Sequence, residues 1–277
     1  MSFERHPWNT AFEWPQHQRP FRVVSEEQAR AYDEQGFFVL EDVLDGEAVA
    51  KLEATIAPFD ERALEFLRAQ PEGRLSLAGV DTVSIALHLV QYSPALRALC
   101  TSPLFAGLCH DLVGPDVRLY WDQAVYKQPH GAEPVLWHQD NGYTYVEPQA
   151  YLTCWIAITD AALDNGCVWV LPGVHRSGTL AHRSTSIGFQ CAEDPDGAVP
   201  VPVRAGSIVV FSSLTPHATG HNVTGEVRKA YIVQFAPDGA VALRGDPDAG
   251  PGRPEPQDNV DRQFFVLRDG QTVAGRP

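Results

Sequence analysis

Trp137-His138-Gln139-Asp140 sets an imidazole and a carboxylate two residues apart, and histidines recur far downstream at His217 and His221. Two histidines and one carboxylate are the donor set of the facial triad, which suits Fe(II) and leaves three coordination positions open. A His-x-Asp pair alone is weak evidence in a chain with 10 histidines and 35 acidic residues. The spacing also imposes a geometric condition. In a regular strand, residues i and i+2 share a face but stand about 7 Å apart, too far to chelate one ion. The chain must bend between them. Asn141-Gly142 directly afterwards supplies turn chemistry, so His138 is read as ending a strand and Asp140 as starting a loop.

The second group runs from His217 through Thr219 and His221 to Arg228. If Thr224-Gly225 is a two-residue hairpin turn, Val223 pairs with Glu226 and His221 with Arg228. Period-2 alternation then puts His217, Thr219, His221 and Arg228 on one face. One imidazole would take the metal, and Arg228 would grip a free carboxylate by a bidentate, charge-assisted pair. That arrangement suits iron with 2-oxoglutarate. Spacing leaves the choice between His217 and His221 open.

The elements that must position these residues follow from the pattern. Residues 1–24 form an aromatic, Pro-punctuated arm without periodicity. Ser25 with Gln28 is a capping box, predicting a helix to about Gln35 that Gly36 stops. A strand over Phe37-Phe38-Val39-Leu40 follows, then a helix opened by Asp45, with Val49, Leu52 and Ile56 at helical spacing. A further helix is predicted from Pro94 to Val113. After Gly114, short runs rich in β-branched and aromatic residues take over, at 117–126, 151–158, 168–171, 207–211 and 229–235. Many short strands behind a helical front predict a mainly β fold with flanking helices, a sandwich or barrel. Residues 173–205 read as an excursion over the mouth of the core. Residues 237–262 read as a mobile loop, before a last strand at 264–267. The whole chain, 1–277, is read as one domain: a helical part at about 25–113, a core at about 117–237 and a C-terminal loop and strand at 238–277.

Bulk properties narrow the partners. A formal net charge of -14 repels phosphate backbones and argues against nucleic acid. No stretch approaches the roughly 18 uninterrupted apolar residues of a membrane span. The N-terminus lacks the apolar core of a secretory signal, so the cytoplasm is the expected location. The five cysteines form no CxxC pair and read as small buried hydrophobes in a reducing compartment. Oligomeric state is left open.

The blocks Lys127-Gln128-Pro129, Trp137-His138-Gln139-Asp140, Trp155-Ile156-Ala157-Ile158, 164–175 and His217 to Arg228 resemble the phytanoyl-CoA dioxygenase family in order and spacing. The resemblance spans about residues 30–237. It implies a double-stranded β-helix, or jelly roll, with Fe(II) bound by His138, Asp140 and His217. It also implies 2-oxoglutarate held by Arg228 and Thr219, with Trp155 and Gln123 lining its pocket. His88 falls near a position where some relatives carry a cosubstrate-binding Lys. The family's usual Gly-Ser-His is Gly173-Val174-His175 here, a departure that leaves the metal site untouched. The activity implied is hydroxylation of a small organic molecule, a secondary metabolite, using O2 and releasing succinate and CO2. Desaturation, epimerisation or cyclisation are alternatives on the same oxidant. Alternatives of other classes are a non-catalytic jelly-roll binding protein and a metalloenzyme that needs no 2-oxoglutarate.

Blander roles stand beside these. Trp155 could be plain core, Thr219 and Gln123 plain sheet positions, and His221 a rim residue. His175, Arg176 and His182 could touch substrate or sit on a loop surface. Tyr143 and Tyr145 could wall the pocket or cap the sandwich.

Overall fold

The computed structural model describes residues 3–130 and 133–273, so the extreme ends of the N-terminal arm and the C-terminal segment lie outside the described residues. Helix α1 (Glu26–Gln35) opens on Ser25, whose hydroxyl accepts from the Gln28 amide at 3.1 Å while the Gln28 side chain accepts from the Ser25 amide at 2.9 Å. Gly36, at φ 90°, ends it. Strand β1 (Phe37–Leu40) follows, and Asp45 caps α2 (Gly46–Arg68). The front is less helical than expected, because β2 (Val83–Leu87) joins the main sheet. The single helix expected from Pro94 is two, α3 (Pro94–Cys100) and α4 (Pro103–Leu112). Pro103 cannot donate into a preceding turn and disfavours helical geometry at Ser102, so it divides the stretch and starts the second helix.

The core then alternates between two layers. Its strands are β3 (Val117–Lys127), β4 (Val135–His138), β5 (Leu152–Ala157), β6 (Val168–Val170), β7 (Val199–Val201), β8 (Ile208–Ser212), β9 (His217–Thr219) and β10 (Arg228–Pro237). A short helical turn, α5 (Asp140–Tyr143), lies between β4 and β5, and β11 (Phe265–Arg268) and β12 (Gln271–Thr272) close the chain. The eight-stranded sheet runs β1-β8-β5-β10-β3-β11-β12, with β2 on β3. The four-stranded sheet runs β7-β6-β9-β4. Successive core strands cross from one sheet to the other, except the β6–β7 pair. This is a jelly roll.

Alternation divides each strand of the large sheet between two cores. Cys154, Ile156, Tyr231, Val233 and Phe235 pack outward with residues of the helices, among them Ile56, Leu96 and Phe105. Trp155, Ala157, Ala230 and Ile232 point inward to Val168 and Val170 of the small sheet. Both faces are covered, which is why these strands read as unbroken apolar runs. All five cysteines are free, four of them buried. Among the described residues, no helix is long and apolar enough to cross a membrane.

Two expectations need correction. Residues 220–227 are not a hairpin turn: β9 pairs with β4 and β6, whereas β10 pairs with β3 and β5, so His221 never faces Arg228. The Asn222 amide donates to the carbonyls of Lys127 (3.1 Å) and Glu226 (2.7 Å) and its Oδ1 accepts from the Thr224 amide (3.1 Å). This side chain gives the backbone a local alternative to a ladder. The segment expected as a mobile loop contains strands Val241–Arg244 and Arg253–Pro256, which form a three-stranded sheet with Val146–Glu147.

Gly36 ties the helical layer to the site. Its carbonyl accepts from the Ser212 amide (3.0 Å) and the Thr215 hydroxyl (2.8 Å), just before His217. A Cβ there would meet Thr215 Oγ1 at 2.5 Å and His175 Nδ1 at 2.6 Å, on a left-handed backbone. Strain and overpacking together make Gly36→Ala cost about 3 kcal/mol. Urea unfolding should show this as a lower midpoint; a midpoint unchanged from wild type would contradict the packing described.

Candidate active site

β4 ends at His138 and α5 begins at Asp140, so the backbone turns between the two. Gln139 makes the turn. Its side chain, fully buried, donates to the Gly178 (3.0 Å) and Leu214 (2.6 Å) carbonyls and accepts from the Leu180 amide (2.7 Å). Its own amide donates to His182 Nε2 at 2.9 Å. Gly142 permits this, since a Cβ there would lie 2.1 Å from the His182 ring. β9 lies beside β4 with His217 opposite His138. One ligand atom from each of His138, Asp140 and His217 then falls within 4.8 Å of the others.

Each donor is oriented by its unused atom. His138 Nδ1 contacts the Leu136 carbonyl at 2.7 Å and His217 Nδ1 the Thr215 carbonyl at 3.0 Å. A carbonyl can only accept, so both Nδ1 atoms carry the proton and both Nε2 lone pairs are free for a metal. Asp140 Oδ2 accepts from the Thr153 hydroxyl at 2.6 Å, and Gln234 Nε2 lies 3.3 Å from that hydroxyl. Asp140 Oδ1 stands 3.7 Å from His217 Nε2. Burial, with His217 nearby, pushes the His138 pKa down to about 3, and burial pushes that of His217 to about 4. Burial raises that of Asp140. Neutral imidazoles, a carboxylate and three unblocked donor atoms fit Fe(II).

These residues line a cavity of about 350 Å³ between the sheets, together with Gln123, Trp155, Thr219 and Arg228. Arg228 is buried, and among the described residues none of its three guanidinium nitrogens has a hydrogen-bond partner. The Thr219 hydroxyl is equally unpartnered. A buried, unpaired guanidinium costs several kcal/mol, so this end of the cavity is built for an anion. The guanidinium lies over the Trp155 ring, 5.1 Å from its centroid, and burial lowers its pKa to about 10. The cationic end and the three-donor end fit 2-oxoglutarate, which has a carboxylate at each end.

Other sequence candidates separate. His221 and Arg176 are exposed, and His175 is buried against Trp14 (ring centroids 4.4 Å apart), outside the cavity. His182 supports Gln139. Tyr143 lines the cavity, edge-on to His138 at 5.0 Å, whereas Tyr145 packs on His6 and Trp8. His88 stands beside Trp121 with its buried Nδ1 unpartnered. Gln123 accepts from the Trp121 indole at 3.1 Å. Sequence reading missed Thr153 and Gln234. Both were within reach of alternation, lying two residues before Trp155 and six after Arg228 on inward-facing positions.

Comparison with known proteins agrees with this geometry. Residues 32–230 match the family described as Phytanoyl-CoA dioxygenase (PhyH). A Rattus norvegicus protein, phytanoyl-CoA dioxygenase domain-containing protein 1, is 31% identical over 163 residues, 55% of this chain and 55% of that one. The chain thus spans about half the length of this relative. Among solved structures, the non-heme alpha ketoglutarate dependent carbocyclase SnoK from nogalamycin biosynthesis superposes with a TM-score of 0.65 at 28% identity, covering 84% of this chain and 94% of that one. EctD from S. alaskensis, solved with 2-oxoglutarate and 5-hydroxyectoine, has a TM-score of 0.68 at 19% identity over 99% and 93%, a likeness of fold.

Two outcomes are expected. Thr153→Val removes the hydrogen bond that holds Asp140 Oδ2 and should weaken Fe(II) or Zn(II) binding about tenfold by calorimetry. Unchanged affinity would mean Asp140 needs no such support. For His175, burial lowers the native pKa to about 4 from 6.5. The unfolded chain therefore binds a proton first as pH falls, and the native state loses stability between about pH 6.5 and 4, by up to about 1.4 kcal/mol per unit. His175→Gln should flatten the pH dependence of urea unfolding of metal-free protein by one proton; an identical slope in the variant counts against it.

Proposed function

The chain belongs to the phytanoyl-CoA dioxygenase family, and on that premise we propose that it is a non-haem Fe(II)- and 2-oxoglutarate-dependent oxygenase. Its reaction is the hydroxylation of a small organic molecule with O2, releasing succinate and CO2. The observation that carries this reading is the buried Arg228, whose nitrogens have no partner among the described residues and which lines the same cavity as the His138, Asp140 and His217 donors. Fe(II) with 2-oxoglutarate and O2 supplies the oxidising power; the protein supplies orientation and exclusion of water.

The residues divide that work along the cavity. His138 and His217 present Nε2, and Asp140 presents Oδ1, in a fixed arrangement. Arg228 and Thr219 receive the far carboxylate of 2-oxoglutarate. Val125, Val168 and Ile232 wall that end with apolar surface, so the charge pair forms out of water and gains strength. The cross-strand register sets direction: Arg228 pairs with Lys127, and six positions on, Gln234 pairs with Trp121. Tyr120, Trp121, Tyr143 and Tyr151 therefore form the wall for the substrate, away from the arginine. Because the Asp140 carboxylate fills its coordination position, none is left there for a halide, and hydroxylation is favoured over halogenation.

The aromatic wall supports a small, partly apolar substrate of secondary metabolism, handled in the cytoplasm. The resemblance to a carbocyclase at 28% identity favours a second outcome, ring closure by the same oxidant. A non-catalytic binding protein has no use for a complete donor set beside an unpaired arginine.

Arg228→Ala tests the assignment. Losing a buried, bidentate charge pair is worth about 3 kcal/mol or more, so KM for 2-oxoglutarate should rise about a hundredfold or more. Succinate formation and O2 consumption would be followed together in wild type and variant. An unchanged KM would mean that Arg228 does not hold the cosubstrate. O2 consumption without succinate, left intact by Arg228→Ala, would favour a metalloenzyme that needs no 2-oxoglutarate, and wild-type protein that neither consumes O2 nor forms succinate would return the binding-protein reading.

A further inference from the structure

Lys127, the last residue of β3, is fully buried. Its Nζ contacts three main-chain carbonyls: Glu133 at 3.0 Å, Thr219 at 3.4 Å and Gly220. An ammonium has three donors and no acceptor, so three carbonyls satisfy the charged form. Thr219 ends β9, the strand that carries His217, and Gly220 follows it directly. Cross-strand register sets Lys127 opposite Arg228. Two buried cations thus stand together, one held only by neutral carbonyls and the other without any partner. Such a pair repels itself unless an anion arrives between or beside the charges. Burial, and in second place the neighbouring Arg228, push the Lys127 pKa down to about 7.

The packing around the lysine is close. Gly166, at φ 85°, presses on its stem: a Cβ there would lie 2.7 Å from the Gly220 carbonyl oxygen and 2.9 Å from Lys127 Cδ. The Asn222 amide grips the Lys127 carbonyl from the other side. The turn around Gly166 and the 220–227 connection therefore meet on Lys127.

We propose that Lys127 is a positioning residue for the far carboxylate of 2-oxoglutarate. Its ammonium holds the Thr219 and Gly220 carbonyls, so that the Thr219 hydroxyl and the Arg228 guanidinium converge on one anion, and it adds a second positive charge behind them. This inference rests on reading the cavity as a 2-oxoglutarate site. It separates from a plain structural role, because a staple would loosen the metal ligands and the cavity indiscriminately, whereas a second cation acts only on a ligand with the far carboxylate.

Calorimetry on Zn(II)-loaded protein, which is redox-inert, distinguishes the two. The probes are 2-oxoglutarate and 2-oxovalerate, which has the same chain length without the far carboxylate. Lys127→Met keeps the stem and removes the charge; it should weaken 2-oxoglutarate binding about tenfold or more. Binding of 2-oxovalerate and of Zn(II) should stay within about twofold of wild type. If Lys127→Met does not fold, Lys127→Gln, which still donates to two carbonyls without charge, is expected to show the same selective loss. Wild-type affinity for 2-oxoglutarate in the folded variant overturns the proposal, as does a parallel loss for both acids and the metal. Wild-type protein that binds no 2-oxoglutarate sinks the cosubstrate reading itself, and this inference with it.

Discussion

A histidine and an aspartate two residues apart can share an ion only while the backbone between them turns, and the Gln139 side chain holds that turn. Its three buried hydrogen bonds tie β4 to the 178–180 segment and to Leu214, which lies three residues before His217. The residue between two donors thus reaches toward the strand that brings the third. Asn141 extends the arrangement, accepting from the Val146 amide at 2.9 Å and donating to Thr179 Oγ1 at 2.7 Å. Each bond alone is worth about 1 kcal/mol, but a buried network polarises and must be satisfied together. The placement of the three donors depends on this polar shell as well as on the hydrogen bonds of the donors themselves.

The two ends of the cavity obey opposite rules. Around His138, Asp140 and His217, each second atom is satisfied and only the inward atoms are free. Around Arg228, three nitrogens are free and the positive charge has an aromatic face and a second cation beside it, but no anion among the described residues. A protein tolerates an unpaired buried cation only where the rest of the fold over-determines its place. Here the two covered faces of the large sheet do so, with Arg228 at the start of a ten-residue strand paired on both sides. The energy withheld from folding is available to a dianion when it binds.

How far the sequence carried this depends on the range of the signal. Ser25, Gln28, Gly36 and Asp45 act on their own neighbours, and the helix ends they mark lie where local chemistry puts them. Pro103 was equally local but hidden inside an apolar stripe that continued across it. The Thr224-Gly225 turn failed for another reason: hairpin logic assumes that consecutive strands pair, and in a jelly roll they lie in opposite sheets. His217, Thr219 and Arg228 do line one cavity, yet they reach it across the sandwich and not along one face. Alternation on a single strand was the sounder guide. Applied to β3, β5 and β10 it would have added Lys127, Thr153 and Gln234 to the inward set.

The substrate wall is the part least legible in the sequence, and the fold gives a physical reason. The cosubstrate end is made by core strands, whose registers the two-layer packing fixes. The far wall draws on pieces outside that frame. Leu77 comes from the turn between residues 75 and 78, and Tyr143 from α5, where Phe189 of the 183–190 hairpin meets it edge-on at 5.3 Å. Arg262, in the C-terminal segment, lies over Trp121 at 5.9 Å. Leu77 and Arg262 lie outside the strands that carry His138 and His217, so they can change without unsettling those donors, whereas Tyr143 shares α5 with Asp140. One frame can therefore carry different walls in different relatives, and the walls decide which C–H bond meets the oxidant.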